Sequence, residues 1–173
     1  MALPLRKIMT LYSKDEPFIV GVDFDGTVTT KPEGGMDFPP PQQGFVDFYN
    51  HIHEHNYAEP DNQILIVIHT ARDLDNIDNW TYVKDYLCRY QLNEVFLPKR
   101  DGLSIKNNLN KKKTFPVHYT INSKIPCSCY VDDLNIGVPK IDESNLDWPQ
   151  IEKLIFEKIE NLKNYWASKE VTT

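Results

Sequence analysis

The segment Val22-Asp23-Phe24-Asp25-Gly26-Thr27 puts two carboxylates two residues apart at the end of an apolar run. On an extended backbone alternate side chains point the same way, so Asp23 and Asp25 can face one pocket while Phe24 turns away. Gly26 permits a tight turn directly after them. Two close carboxylates resist joint ionisation unless a cation stands beside them. Mg2+ suits such a place, because it takes oxygen ligands and commonly binds through one or two carboxylates together with water and phosphate. A second acidic pair, Asp132-Asp133, closes a later apolar segment and supplies further oxygen, and Thr70 closes another.

These tips need elements to carry them. Phe18 to Asp23 reads as a buried strand, and Ile64 to Ile68 is a continuous run of β-branched residues and leucine. A run of that kind fits a parallel-sheet strand covered on both faces. Cys127 to Val131 predicts a further strand ended by Asp132-Asp133, and Val95-Phe96-Leu97 a short one ended by Pro98. Apolar spacing of three and four predicts helices over 43–56 (Phe45, Phe48, Ile52), 75–90 (Trp80, Val83, Tyr86 or Leu87, Tyr90) and 148–167 (Ile151, Leu154, Ile155, Ile159, Leu162). Alternating strands and helices imply an α/β domain with a doubly wound, mostly parallel sheet. In such sheets ligands bind beyond the carboxyl ends of the strands, so Asp23, Thr70 and Asp132 would converge. The 173 residues suit a single domain. Residues 1–16 read as a loose leader, 27–42 as a Pro/Gly-rich flap, and 98–123 as a basic, irregular insertion.

Asp23-Phe24-Asp25-Gly26-Thr27 resembles the first motif of the haloacid dehalogenase-like superfamily, Asp-x-Asp-Gly-Thr. Thr70 resembles its second motif. Lys124 stands at a distance before Cys127–Asp133 that fits the third, although Lys99 and Lys106 compete for that role. Tyr130-Val131-Asp132-Asp133 resembles the acidic fourth motif. The likeness spans residues 18 to 138, and it implies the superfamily's Rossmann-like fold and a mechanism. Asp23 would attack phosphorus and form an aspartyl-phosphate, splitting one hard step into two. Asp25 would act as general acid and then general base. Mg2+ would be held by Asp23, the Asp25 backbone carbonyl and Asp132, reducing repulsion between carboxylate and phosphate. Thr70 and the backbone N–H groups of Phe24 and Ala71 would bind phosphate oxygens, and Lys124 would pair with Asp23 and the phosphate. Positioned donors of this kind are typically worth roughly 3 kcal/mol each. Thr27 and Asp133 would support this set from behind, Asp133 by orienting Lys124 or a metal-bound water, or else by only shaping the turn. Arg72 would either touch substrate or pair with Asp73 or Asp75.

Superfamily members often carry a cap domain that selects substrate. Residues 28–42 and 98–123 are too short for one, which implies a capless, relatively open phosphatase accepting phosphorylated small molecules or polymer ends, or borrowing a partner subunit as lid in an oligomer. The formal net charge of -6 argues against bulk binding of nucleic acid or anionic membrane. Lys99, Arg100, Lys106 and Lys111 to Lys113 form a local basic exception, read either as a solvated loop or as a contact for a nucleotide or polynucleotide end. No apolar run approaches the ~20 residues of a membrane span. Three cysteines, an odd number, favour free thiols in a reducing compartment, and the expected location is the cytoplasm. Three other readings are set beside a Mg2+-dependent phosphohydrolase: a non-catalytic Mg2+ or phosphoryl-binding module, a phosphoacceptor domain and a phosphomutase.

Overall fold

The structure, a computed structural model, describes residues 17–30, 38–70, 72, 77–92, 95 and 127–170. Its elements are β1 (Phe18–Val22), α1 (Gln43–Ala58), β2 (Ile64–Ile68), α2 (Ile77–Arg89), β3 (Cys129–Val131) and α3 (Trp148–Glu170). The three strands form one parallel sheet in the order β2-β1-β3. The result is a mixed α/β fold with flanking helices.

Phe18, Val20 and Val22 share one face of β1 and, like Ile64, Ile66 and Ile68 of β2, are almost fully buried. They pack in one core with Phe45, Phe48 and Ile52 of α1, Val83, Tyr86 and Leu87 of α2, and Trp148, Ile151, Ile155 and Ile159 of α3. Leu65 and Val67, on the other face of β2, are buried as well, as the unbroken apolar run requires. Asp147 caps α3 by accepting the Gln150 N–H at 3.1 Å. Asn56 near the end of α1 exchanges two 2.8 Å hydrogen bonds with the backbone of Ile64 and so sets where β2 begins. His51 of α1 reaches Glu152 of α3 at 3.2 Å, and the His55 ring packs edge-on against Phe156, so this face of α1 lies against α3.

Several boundaries differ from expectation. The strand expected from Cys127 starts at Cys129, because Ser128 turns its hydroxyl in to accept the Ile19 N–H at 3.0 Å. Leu154 is 44% exposed; the buried stripe of α3 is the narrower i, i+4 series Ile151, Ile155, Ile159. Thr27, Val28 and Thr29 are buried, so they belong to the turn after β1 and not to a flap. The flap's base is pinched shut where Thr29 bridges Pro41, the Thr30 N–H donates to Pro40 and the Gln42 N–H donates to Val28. Of the short strand expected at 95–97 only Val95 is among the described residues, and its N–H closes a turn onto Leu92. The leader 1–16, residues 31–37 of the flap and the whole 98–123 insertion with its basic segment 99–113 lie outside them.

All three cysteines are free. Burial pushes the Cys127 thiol up to about 12 and that of Cys129 up to about 11, so both stay protonated and unreactive at neutral pH. No described helix is long and apolar enough to cross a membrane.

Gly21 is the one small residue in β1, and packing explains it. A Cβ there would stand 2.7 Å from Cys127 Sγ and 2.8 Å from the Tyr130 ring. Gly21→Ala is expected to cost about 1–3 kcal/mol by overpacking. The urea midpoint measures this; an unchanged midpoint would mean that the close packing on β1 is absent in solution.

Candidate functional site

β1 lies in the middle of the sheet, and the chain leaves it through α1 to β2 on one side and returns later as β3 on the other. Its carboxyl end is therefore the point where strand order reverses, the usual place for a ligand crevice. Asp23 stands there. Its N–H donates to Val131 at 2.9 Å, and the carbonyl of Val22 accepts the His69 N–H at 2.8 Å, so the tip is tied to both neighbours.

After Asp23 the chain makes a tight turn, Phe24–Val28. Asp25 keeps an extended conformation (φ −80°, ψ 119°), and Gly26 takes the left-handed one (φ 80°). The turn is closed from within by Gly26 N–H donating to Thr29 Oγ1 at 3.2 Å and Thr29 N–H to the Phe24 carbonyl at 3.0 Å. Phe24, fully buried, drives its ring into the core, edge-on against Tyr86 at 4.9 Å and Tyr82 at 6.2 Å. That anchor keeps the half-buried aspartates on either side directed outward.

The second acidic pair reaches the same place from β3. The buried Thr27 hydroxyl accepts the Asp133 N–H at 3.0 Å, binding the two loops together. Asp132 Oδ1 accepts the Leu134 N–H at 2.9 Å, an Asx turn that sets its carboxylate. One carboxylate oxygen from each of Asp23, Asp132 and Asp133 lies within 4.8 Å of the others. Burial, opposed by the Phe24 N–H and helped by the charges of Asp132, Asp25 and Asp133, pushes Asp23 up to about 7. Such crowding is costly unless a cation joins it. The donor set is all oxygen and fits a hard ion such as Mg2+.

Asp133, expected to support the set from behind, brings one carboxylate oxygen into the same group as Asp23 and Asp132. The position of Gly26 shows why it can: a Cβ there would be 2.9 Å from Asp133 Oδ2. The Asp25 carboxylate is outside this group and is held by Arg72, whose Nε and Nη2 donate to its two oxygens at 2.7 Å each. These hydrogen bonds push the guanidinium further above its ordinary range. Arg72, expected to meet substrate or Asp73 or Asp75, meets Asp25 among the described residues; Asp73 and Asp75 lie outside them. Thr70 follows β2 as expected, its hydroxyl accepting the Arg72 N–H at 3.2 Å. Ala71 and Lys124 lie outside the described residues.

Gln42 was not foreseen. It is 4% exposed. Its amide donates to the Gly26 carbonyl at 2.7 Å and its oxygen accepts from Leu146 N–H at 3.1 Å and Trp148 Nε1–H at 3.3 Å. It thereby fastens the Gly26 turn to the start of α3. The only signal in the sequence is a glutamine at a helix N-cap position, where Ser, Thr, Asp or Asn is usual. It makes no capping bond.

The raised Asp23 value makes stability depend on pH. Folding favours protonated Asp23, so its contribution is complete below the unfolded value of 3.8 and is lost as pH rises through about 7. A three-unit rise corresponds to about 4 kcal/mol if fully desolvated; for a half-open group we expect ~1–2 kcal/mol. Without divalent cations, wild type should lose that much stability relative to Asp23→Asn as pH rises from about 4 to about 7, and Mg2+ should restore it at pH 8. A difference flat with pH in thermal melts would contradict the crowded-carboxylate geometry.

Fold and site together define a mixed α/β protein with an acidic, oxygen-only cluster at the carboxyl ends of its central strands. The chain matches no protein-family model, no curated protein and no solved structure.

Proposed function

We propose that the protein is a Mg2+-dependent phosphohydrolase of the haloacid dehalogenase-like kind, without a large cap, acting on phosphate monoesters of small molecules or polymer ends in the cytoplasm. The observation that carries this reading is the meeting of Asp23, Asp132 and Asp133 within 4.8 Å beside a turn of the Asp-x-Asp-Gly-Thr type.

Asp23, Asp132, Asp133 and the Asp25 carbonyl would hold the ion, which when bound offsets the charge of carboxylate and phosphate. An Asp23 oxygen attacks phosphorus, and the bond to the leaving oxygen breaks as that oxygen takes a proton from Asp25. Water then attacks the phosphorus of the aspartyl-phosphate, Asp25 takes its proton, and the bond to Asp23 breaks. The bidentate Arg72 pair occupies two of about four acceptor positions on Asp25, leaving the rest for proton exchange. Thr70 and the backbone amides near it receive phosphate oxygens, with Lys124 as a point charge.

The same ion pair favours a second reading, a module that binds Mg2+ and phosphoryl groups without turnover, since a permanently clasped Asp25 would not transfer protons. A release assay separates the two. Aryl phosphate, sugar phosphates, nucleotides, phosphopeptides and polynucleotide ends are offered with Mg2+ and with EDTA. Mg2+-dependent phosphate release from any of them supports hydrolysis. Binding of inorganic phosphate with no release from the whole panel supports the module instead.

A further inference from the structure

Arg72 is held from more than one side. Besides its two bonds to Asp25, its guanidinium carbon lies 4.7 Å from the centre of the Tyr82 ring and 5.8 Å from that of Phe24. Tyr82 belongs to α2, a different segment from either site loop. Its ring also stacks almost parallel on Phe38 at the end of the flap, at 4.9 Å and 10°. Phe38 is itself fixed: the Tyr90 hydroxyl donates to its carbonyl at 3.3 Å, and the Arg89 guanidinium lies over its ring at 5.3 Å. Asp25, Arg72, Tyr82 and Phe38 therefore form one continuous stack from the site to the closed base of the flap.

We propose that Tyr82 is a positioning residue for Asp25, acting through Arg72. A bidentate guanidinium fixes a carboxylate plane only if the guanidinium plane is itself fixed, and a long arginine side chain has many rotamers. A ring face beneath it removes that freedom, and Phe38 in turn holds the ring. Tyr82 thus sets the angle at which Asp25 meets the leaving oxygen without touching substrate. The inference rests on the acid-base role proposed for Asp25.

The test is Tyr82→Leu against Tyr82→Phe in the full-length protein with Mg2+. Loss of the cation-to-ring contact is expected to lower kcat by about tenfold. KM and the Mg2+ concentration for half-activity should stay unchanged, and Tyr82→Phe should restore kcat, since the ring face and not the hydroxyl does the holding. An activity-independent readout is the Arg72 Nε–H signal in a nitrogen-15 NMR spectrum, assigned by its loss in Arg72→Lys. It should be sharp and slowly exchanging in wild type and Tyr82→Phe, and broadened or lost in Tyr82→Leu. Unchanged kcat in Tyr82→Leu, or an Arg72 signal that does not respond, overturns the inference while leaving the phosphohydrolase intact. A wild type that releases no phosphate, with an Arg72 signal that still depends on the ring, removes the enzymatic reading but keeps the brace.

Discussion

Asp23→Asn is expected to abolish phosphate release, by at least about 10⁴-fold, while the protein stays folded. The amide has nearly the shape of the carboxylate but is no nucleophile, so the first bond to phosphorus cannot form. The structure adds a second expectation that runs against a simple loss of function. Asp23 sits in a partly desolvated place crowded by Asp132, Asp25 and Asp133, so a neutral side chain there removes repulsion. Without Mg2+ at pH 8 the variant should therefore melt at a higher temperature than wild type. With saturating Mg2+ the order should narrow or invert, because wild type then gains more from the ion. Phosphate release and melting curves on the same preparations decide this. Residual Mg2+-dependent turnover within tenfold of wild type would exclude Asp23 as the nucleophile.

The second large effect concerns a residue that touches no expected ligand. Gln42→Ala leaves three buried groups without their partner: the Gly26 carbonyl, the Leu146 N–H and the Trp148 indole N–H. An orphaned buried polar group costs about 1–3 kcal/mol, and with some relaxation the sum should reach about 3–5 kcal/mol. Activity should fall by more than the folded fraction explains, because Gln42 holds the carbonyl of the one left-handed residue in the site turn. Gln42→Glu is the informative control. It keeps the two acceptor roles toward Leu146 and Trp148 but turns a donor to Gly26 into a charged oxygen. Denaturant titration and assay of both variants measure the effect. A Gln42→Ala protein as stable as wild type would mean that water replaces the bracket and that the turn stands without it.

The parts of this arrangement legible in the sequence are those governed by local pattern. The runs at 18–22 and 64–68 could hardly be anything but strands, and the stripes of α1 and α2 appear as short-range spacing. The Asp23–Thr27 turn is readable for the same reason: two aspartates, a glycine that must take φ 80° and a threonine are close in sequence. Where expectation and structure part, the reason is long-range. Leu154 has the spacing of a core residue, but α3 packs chiefly against α1 and buries the face that carries Trp148, Ile151, Ile155 and Ile159, which leaves Leu154 at its edge. Ser128 looks like a strand residue, but its hydroxyl finds Ile19 across 109 positions.

The candidate site divides along the same line. Types and order of Asp23, Asp25, Thr70, Asp132 and Asp133 follow from the chain alone, because each ends or follows an apolar segment and strand ends gather in a parallel sheet. Which carboxylate faces which partner does not, since that depends on contacts between segments tens of residues apart. Only the tertiary structure turns Asp25 toward Arg72, 47 positions away, brings Asp133 in beside Asp23 and Asp132 over a missing Cβ at Gly26, and places Gln42 beneath the turn. Hydrophobic periodicity determines which elements exist. Side-chain hydrogen bonds and ion pairs have no periodicity to betray them, so they come into view only once the elements are packed.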